Sequence, residues 1–134
     1  MEAADPDIRP IRVLLVEDEP FISEWVAESL TEAGFAVLAV SNAAEALQHL
    51  QAAPLDVLVT DINLPGDMDG MALAKRAREL LPDLTVIYAS GRVGALDSSR
   101  RMPGATFIAK PYIPGRIARL IGDAVGQASA HEPV

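Results

Sequence analysis

The sequence of 134 residues contains no cysteine. Disulfide bonds and thiolate metal sites are therefore excluded, and an intracellular location is allowed. No apolar run approaches the roughly 20 residues that are needed to cross a bilayer. The acidic start of the chain, residues 1–7, also lacks the basic and then apolar layout of a signal peptide. We therefore expect a soluble cytoplasmic protein that does not insert into membranes.

Basic and aromatic residues are also scarce. Lys and Arg number 11 against 19 Asp and Glu, which gives a formal net charge of −8. Because binding to a phosphate backbone needs clustered Lys and Arg, this balance argues against nucleic acid as a direct ligand. Aromatic residues make up only 4% of the chain, whereas 50% of it is hydrophobic. The composition and length favour a single α/β domain with an aliphatic core.

Strand and helix signals alternate along the chain. Short apolar runs, typical of strands buried on both faces, predict strands at 11–16, 35–40, 56–60, 84–89 and 105–109. Helices are predicted at 20–33, 42–53, 70–81 and 114–125, with an irregular fourth helix within 91–104. These units predict a doubly wound, five-stranded parallel sheet with helices on both faces. The domain is expected to span 11–126, between a flexible leader at 1–10 and a flexible tail at 127–134.

Local signals define the predicted helix ends. Pro20 suits the first turn of the first helix, Gly34 suits its end, and Ser41 is the predicted N-cap of the second helix. The predicted apolar stripe of the first helix consists of Phe21, Ile22, Trp25, Val26 and Leu30.

Charged side chains stand at the ends of three predicted strands. Glu17 and Asp18 follow the first strand, Asp61 follows the third, and Lys110 follows the fifth. Because ligands of open parallel sheets bind outside the carboxyl ends of the strands, we expect these groups to meet at one edge. Three carboxylates and one ammonium group there suit a divalent cation and a phosphoryl group.

Each acidic cluster also has a simpler interpretation. The acids at 17–19 suit the first turn of a helix, and Asp61 suits a turn after a strand. Two clusters in adjacent strands repel each other, however, and a divalent cation relieves that repulsion. Oxygen ligands without His or Cys select Mg²⁺. The two clusters together therefore favour a magnesium site.

Lys110 and Ser90 are the residues that would contact a phosphoryl group in the predicted site. Lys110 would neutralise a phosphoryl oxygen opposite Asp61, and a cis peptide bond before Pro111 would aim its side chain inward. Ser90, at the end of the fourth strand, would either cap a helix or donate a hydrogen bond to the same phosphoryl group.

The chain contains the motifs Leu14-Leu15-Val16-Glu17-Asp18-Glu19-Pro20, Asp61-Ile62-Asn63-Leu64-Pro65-Gly66 with Asp69-Gly70, Ser90-Gly91, and Lys110-Pro111-Tyr112. Together these motifs resemble the receiver domain of two-component response regulators. The resemblance covers residues 11 to about 125, with the motifs in order and at similar spacing. It implies the flavodoxin-like strand order 2-1-3-4-5.

The resemblance also implies a mechanism. Asp61 would accept a phosphoryl group from a phosphohistidine of a sensor histidine kinase or histidine phosphotransfer protein. Glu17, Asp18, Asp61 and the backbone carbonyl of Asn63 would hold Mg²⁺, and Lys110 would stabilise the transferred charge.

The same resemblance implies how the phosphorylated state is read out. Ser90 and Phe107 would act as the switch that changes the face formed by the fourth helix, fifth strand and fifth helix. Asn63 and Arg92 would tune the lifetime of the phosphoryl group. A single-domain regulator with an unknown downstream protein target is therefore expected.

The segment Tyr88-Ala89-Ser90-Gly91-Arg92 is similar to a stand-alone receiver subgroup with a Phe-Ala-Thr-Gly-type motif and an irregular fourth helix. Some members of that subgroup pair with histidine kinases of the HWE class. Membership of that subgroup would argue against the usual dimerisation through the fourth-helix face.

Three other functions fit parts of the pattern. A magnesium-dependent phosphatase of the haloacid-dehalogenase type needs a second Asp two residues after the nucleophile, where this chain has Asn63. A flavodoxin-like electron carrier needs a phosphate-binding loop where this chain has acids at 17–19. A degenerate receiver that serves only as a protein-binding module would need none of the site chemistry.

Overall fold

The structure is a computed structural model that describes residues 9–91 and 103–130, with side chains up to residue 125. Its strands are β1 (Arg12–Val16), β2 (Ala36–Val40), β3 (Val57–Asp61), β4 (Thr85–Ser90) and β5 (Thr106–Ala109). Its helices are α1 (Pro20–Glu32), α2 (Ala43–Ala52), α3 (Gly70–Leu80) and α4 (Pro114–Ala130). Most of the predicted leader, the predicted irregular helix after Gly91, and Arg92 lie outside the described residues.

The five strands form one parallel sheet in the order β2-β1-β3-β4-β5, which confirms the predicted fold class and strand order. The register sets the geometry of the carboxyl edge. Val16 of β1 lies beside Thr60 of β3, and Asp61 lies beside Ala89 of β4. Ser90 lies beside Ala109 of β5, the residue before Lys110. The groups that follow these strands therefore emerge next to one another.

The helices cover both faces of the sheet because successive strand residues point to opposite sides. Leu14 and Val16 belong to the core cluster beneath α2 and α3, whereas Val13 and Leu15 belong to the cluster beneath α1 and α4. Strands β1, β3 and β4 are thus buried on both faces, which explains their continuous apolar runs, whereas the edge strand β2 is largely exposed. Within the part of the chain that the structure describes, no helix combines the length and apolar character of a membrane span.

The predicted apolar stripe of α1 is wrong at two of its positions. Val26 and Leu30 are fully buried, but Phe21 is 87% exposed and Trp25 is 53% exposed. The buried pair lies four residues apart on one face of the helix, and Ile22 continues that face. Phe21 and Trp25 each lie one residue earlier, which places them about 100° around the helix. They therefore flank the packed face.

The start of α2 also differs from the prediction by one residue. Asn42, and not Ser41, is the N-cap, because its side-chain oxygen accepts a hydrogen bond of 2.9 Å from the Glu45 amide. Glu45 reaches back weakly, since its carboxylate lies 3.5 Å from the Ser41 amide. Both residue types cap helices well, so sequence alone does not separate them.

The last helix, α4, continues beyond its predicted end at Val125 and reaches Ala130. It therefore includes the first residues of the predicted flexible tail. Gly34, which follows α1, has the expected left-handed backbone conformation, with φ at 101°.

Candidate functional site

Lys110 joins two acidic residues at the carboxyl edge of the sheet. Its Nζ atom donates hydrogen bonds to Glu17 Oε1 at 2.7 Å and to Asp61 Oδ2 at 2.9 Å. These residues come from the ends of β5, β1 and β3, so the parallel sheet brings them together as the sequence predicts. The peptide bond between Lys110 and Pro111 is cis, as predicted.

The three carboxylates form a compact group of oxygen atoms. One carboxylate oxygen from each of Glu17, Asp18 and Asp61 lies within 4.8 Å of the others. Glu17 is 3% exposed and Asp61 is 9% exposed, whereas Asp18 faces solvent. Such a set of hard oxygen donors, open to water on one side, fits Mg²⁺, which keeps several waters when it binds to protein. The residues present therefore fit the metal that the sequence predicts.

Backbone amides orient two of these carboxylates. The Glu19 amide donates to Glu17 Oε2 at 3.1 Å, and the Asn63 amide donates to Asp61 Oδ1 at 3.4 Å. Asn63 thus contacts the site through its backbone N–H group. Its backbone carbonyl is the group that we predict as a metal ligand. The two amides leave each acidic side chain with one oxygen for Lys110.

Ser90 and Phe107 lie on the neighbouring strands. Ser90 is buried at the end of β4, and its carbonyl accepts a hydrogen bond of 2.8 Å from the Lys110 amide. Phe107 pairs in register with the fully buried Tyr88 and packs partly buried against the core cluster beneath α2 and α3. Their proposed switching roles remain predictions.

Burial and charge shift the pKa of both partners in this cluster. Burial raises the pKa of Glu17, although the hydrogen bond from Lys110 opposes the shift. Burial alone would lower the pKa of Lys110, but its hydrogen bonds to Glu17 and Asp61 outweigh that effect and raise it. Lys110 therefore remains a charged ammonium group throughout the neutral range.

The pKa of Tyr112, two residues after Lys110, is affected by the same charges. Burial of its side chain, reinforced by the negative charge of Glu17, raises the pKa of Tyr112 to about 12. Its phenol is therefore neutral at neutral pH and adds no negative charge to the site.

Gly70, the first residue of α3, also positions the end of β3, a role that the sequence does not predict. A Cβ atom at this position would overlap the Asp61 carbonyl oxygen and would approach Ile62 Cα to 2.9 Å. The Gly70 amide also donates to the Ile62 carbonyl at 2.8 Å. The first turn of α3 therefore packs directly on the end of β3. The Asp69-Gly70 pair in the quoted motif is the signal that points to this contact.

Comparisons with known proteins agree with this arrangement. Residues 13–121 match the family described as the response regulator receiver domain. The chain is 37% identical over 103 residues to the response regulator receiver protein CpdR of Brucella abortus (strain 2308), with 75% of this chain and 85% of that protein covered. Several other curated relatives are longer proteins, and the chain spans less than half of each.

Solved structures show the same fold. A response regulator receiver protein from Sinorhizobium medicae WSM419 superposes with a TM-score of 0.77 at 35% identity, covering 88% of this chain and 93% of that one. The receiver domain of the hybrid histidine kinase CckA superposes with a TM-score of 0.74 at 30% identity, covering 85% and 98%.

Proposed function

This chain belongs to the response regulator receiver domain family, and on that basis we propose that Asp61 accepts a phosphoryl group in a magnesium-dependent reaction. The donor is a phosphohistidine on a sensor histidine kinase or a histidine phosphotransfer protein. The observation that carries the proposal is the pair of hydrogen bonds from Lys110 to Glu17 and Asp61. These hydrogen bonds hold the Lys110 ammonium group beside the largely buried carboxylate of Asp61, which the neighbouring acids would otherwise repel.

The transfer replaces one bond to phosphorus by another. A carboxylate oxygen of Asp61 forms a bond to phosphorus while the phosphorus–nitrogen bond of the donor breaks, and the freed imidazole takes a proton from solvent. The backbone amide of Asn63 holds Asp61 in position, and Lys110 stabilises negative charge on the transferring oxygens. Positioning and electrostatics therefore do most of the catalytic work.

Glu17, Asp18 and Asp61, with the Asn63 carbonyl, would hold Mg²⁺. When bound, the ion neutralises phosphoryl oxygens and the mutual repulsion of the acids. The three carboxylates could approach one ion together, since one oxygen of each lies within 4.8 Å of the others, and the exposed Asp18 leaves the site open to water.

The phosphorylated state would be read out through Ser90 and Phe107. A phosphoryl group on Asp61 gives the Ser90 hydroxyl a new acceptor, and Ser90 is the residue that follows Ala89, the β4 neighbour of Asp61. Movement of Ser90 would change the packing of Phe107 and the surface formed by β5 and α4, while the predicted fourth helix of that face lies outside the described residues. A downstream protein in the cytoplasm would recognise that surface.

The other candidate functions gain no support. The family match favours a receiver over a phosphatase of the haloacid-dehalogenase type, whose general acid is replaced here by Asn63. A receiver that serves only as a binding module does not account for the Lys110 contacts with two acids.

Intact-mass measurement after incubation with Mg²⁺ and acetyl phosphate tests the proposal. We expect the addition of one base-labile phosphoryl group, which is absent in Asp61→Asn and when Mg²⁺ is chelated. Asp67→Asn, an exposed acid in the loop after β3, is the matched control and should be phosphorylated normally. Phosphorylation of Asp61→Asn to the level of the wild type would overturn the assignment.

A further inference from the structure

A cleft of about 400 Å³ opens beside Lys110. Ile22 and Trp25 of α1 line one side, and Pro111 and Tyr112, which follow β5, line another. We call this feature the aromatic cleft. Its lining is largely apolar, with Lys110 and Glu19 as charged groups. Apolar walls with a few convergent polar groups are typical of sites for small organic molecules.

Trp25 contributes a half-exposed indole ring to the aromatic cleft. It is the single tryptophan of the chain, and 53% of its surface is exposed because it lies beside the packed face of α1. Tyr112 supplies a second ring in the same cleft. Aromatic side chains of this kind favour flat apolar or aromatic ligands, which stack on a ring face or meet its edge.

The cleft connects to the phosphorylation site through Lys110. The same side chain lines the cleft and donates a hydrogen bond of 2.9 Å to Asp61. A phosphoryl group that approaches Asp61 beside Lys110 must carry its leaving group on the side of phosphorus away from Asp61, because the attacking and departing atoms lie on opposite sides of phosphorus. The aromatic cleft is an apolar surface next to Lys110 that is available to contact such a group.

We propose that the aromatic cleft receives the leaving group of the phosphodonor and favours donors whose leaving group is a planar aromatic ring. This inference rests on the proposed transfer to Asp61. Charge and shape complement each other, since the anionic phosphoryl group faces Lys110 and the ring faces Trp25 and Tyr112. The imidazole of a phosphohistidine belongs to the same class of leaving group.

The reaction balances without any further reactant. With benzoyl phosphate, Asp61 forms a bond to phosphorus while the phosphorus–oxygen bond to the acyl group breaks. Benzoate departs with the electron pair of that bond, and no proton transfer is required. Acetyl phosphate reacts by the same bond changes but has a methyl group in place of the ring. The two donors therefore differ at the part that the cleft would contact.

The decisive experiment compares rates of phosphorylation of the full chain by these two donors in Mg²⁺, followed by intact mass. Trp25→Ala should lower the second-order rate constant for benzoyl phosphate about tenfold. The rate constant for acetyl phosphate should change less than about twofold. Trp25→Phe should restore most of the preference for benzoyl phosphate, and Tyr112→Leu gives a second test of the same wall.

Phe21→Ala is the matched control. Phe21 is an aromatic residue on the same helix, is 87% exposed, and lies outside the cleft lining. It should leave both rate constants unchanged. In the wild type, phenyl phosphate should change the emission of Trp25 saturably, whereas methyl phosphate should not.

The outcomes separate this inference from the proposed function. If neither donor phosphorylates the wild-type chain at Asp61, the proposed function fails. If both donors do so and Trp25→Ala leaves their rate ratio unchanged, only the cleft assignment is overturned. The cleft assignment is also overturned if Trp25→Ala slows transfer from a phosphohistidine protein and leaves the ratio of the small donors unaltered, since the residue would then contact the protein partner.

Discussion

Lys110 and Asp61 stand at the ends of two strands that are not neighbours, yet the ammonium group of one lies 2.9 Å from the carboxylate of the other. Lys110 follows β5 and Asp61 ends β3, so the lysine side chain reaches past the end of β4. The Ser90 carbonyl at that end accepts a hydrogen bond from the Lys110 amide, which fixes the backbone position from which the lysine side chain extends. The link between the two residues therefore depends on three adjacent strands.

Lys110→Ala should destabilise the protein chiefly in the absence of magnesium. The change leaves the buried Glu17 carboxylate without its cation, at a cost of about 2–3 kcal/mol in the free energy of unfolding. Mg²⁺ should recover much of this loss and still bind, but phosphorylation should no longer change the conformation. Urea denaturation with and without Mg²⁺ measures the first effect.

Lys75→Ala is the control for that prediction, because Lys75 is exposed on α3 and is the other lysine of the chain. It should change stability by less than about 0.5 kcal/mol, irrespective of Mg²⁺. Equal losses in the two variants would show that Lys110 does not balance the acidic cluster.

Gly70→Ala should lower the free energy of unfolding by about 3 kcal/mol and slow phosphorylation. The added Cβ overlaps the Asp61 carbonyl, so either α3 or the end of β3 must shift. Gly122→Ala, in α4, meets nothing within 4 Å and should instead stabilise the protein by about 0.5–1 kcal/mol. Urea denaturation and the phosphorylation rate provide the two measurements. Full activity in a stable Gly70→Ala protein would contradict the proposed positioning role.

Asn42→Ala should cost about 1 kcal/mol, because it removes the side-chain acceptor for the Glu45 amide. Ser41→Ala should cost less than about 0.5 kcal/mol, since the contact of Ser41 with Glu45 uses its backbone. Thermal unfolding of the two variants side by side measures the difference. The opposite ranking would mean that α2 begins one residue earlier.

The pKa of Tyr112 should lie at about 12, above the ordinary value of a tyrosine phenol, because its side chain is buried. In Tyr88→Phe, which leaves Tyr112 as the one tyrosine, ultraviolet absorbance of tyrosinate reports this titration directly. Glu17→Gln should lower the pKa of Tyr112, because it removes a nearby negative charge. An unchanged midpoint would show that Glu17 does not influence the phenol.

The same shift has a consequence for stability. The folded-state pKa of Tyr112 is raised, so its contribution to stability is fully present below about pH 10 and is lost as the pH rises towards 12. Tyr112→Phe should therefore lose less stability than the wild type between these two values. Denaturation curves at several alkaline pH values provide the measurement.

Sequence patterns predict the sheet and its acidic edge well for a physical reason. A parallel strand buried on both faces, such as Val57–Asp61, must be apolar until it ends, so a charged residue marks the end. Parallel packing then gathers these ends at one edge. The positions of Asp61, Glu17 and Lys110 follow from these two rules.

Other features depend on contacts that no local pattern contains. The space at Gly70 is set by the approach of α3 to β3, and the exposure of Trp25 is set by which side of α1 meets the sheet. The adjacent residues Ser41 and Asn42 are equally suitable caps, and only the backbone conformation decides between them. The last helix, α4, ends at Ala130 and not at the predicted Val125, and local sequence signals are least reliable at such helix ends.

The hydrogen bond between Lys110 and Glu17 spans 93 residues of the chain. At ordinary rates of translation, roughly 5–20 residues per second, about 5–20 seconds separate the synthesis of its two ends. During this interval a nascent chain carries the acids of β1 and β3 without their counter-charge. Until Lys110 is synthesised, Glu17 and Asp61 therefore lack the ammonium group that joins them in the folded protein.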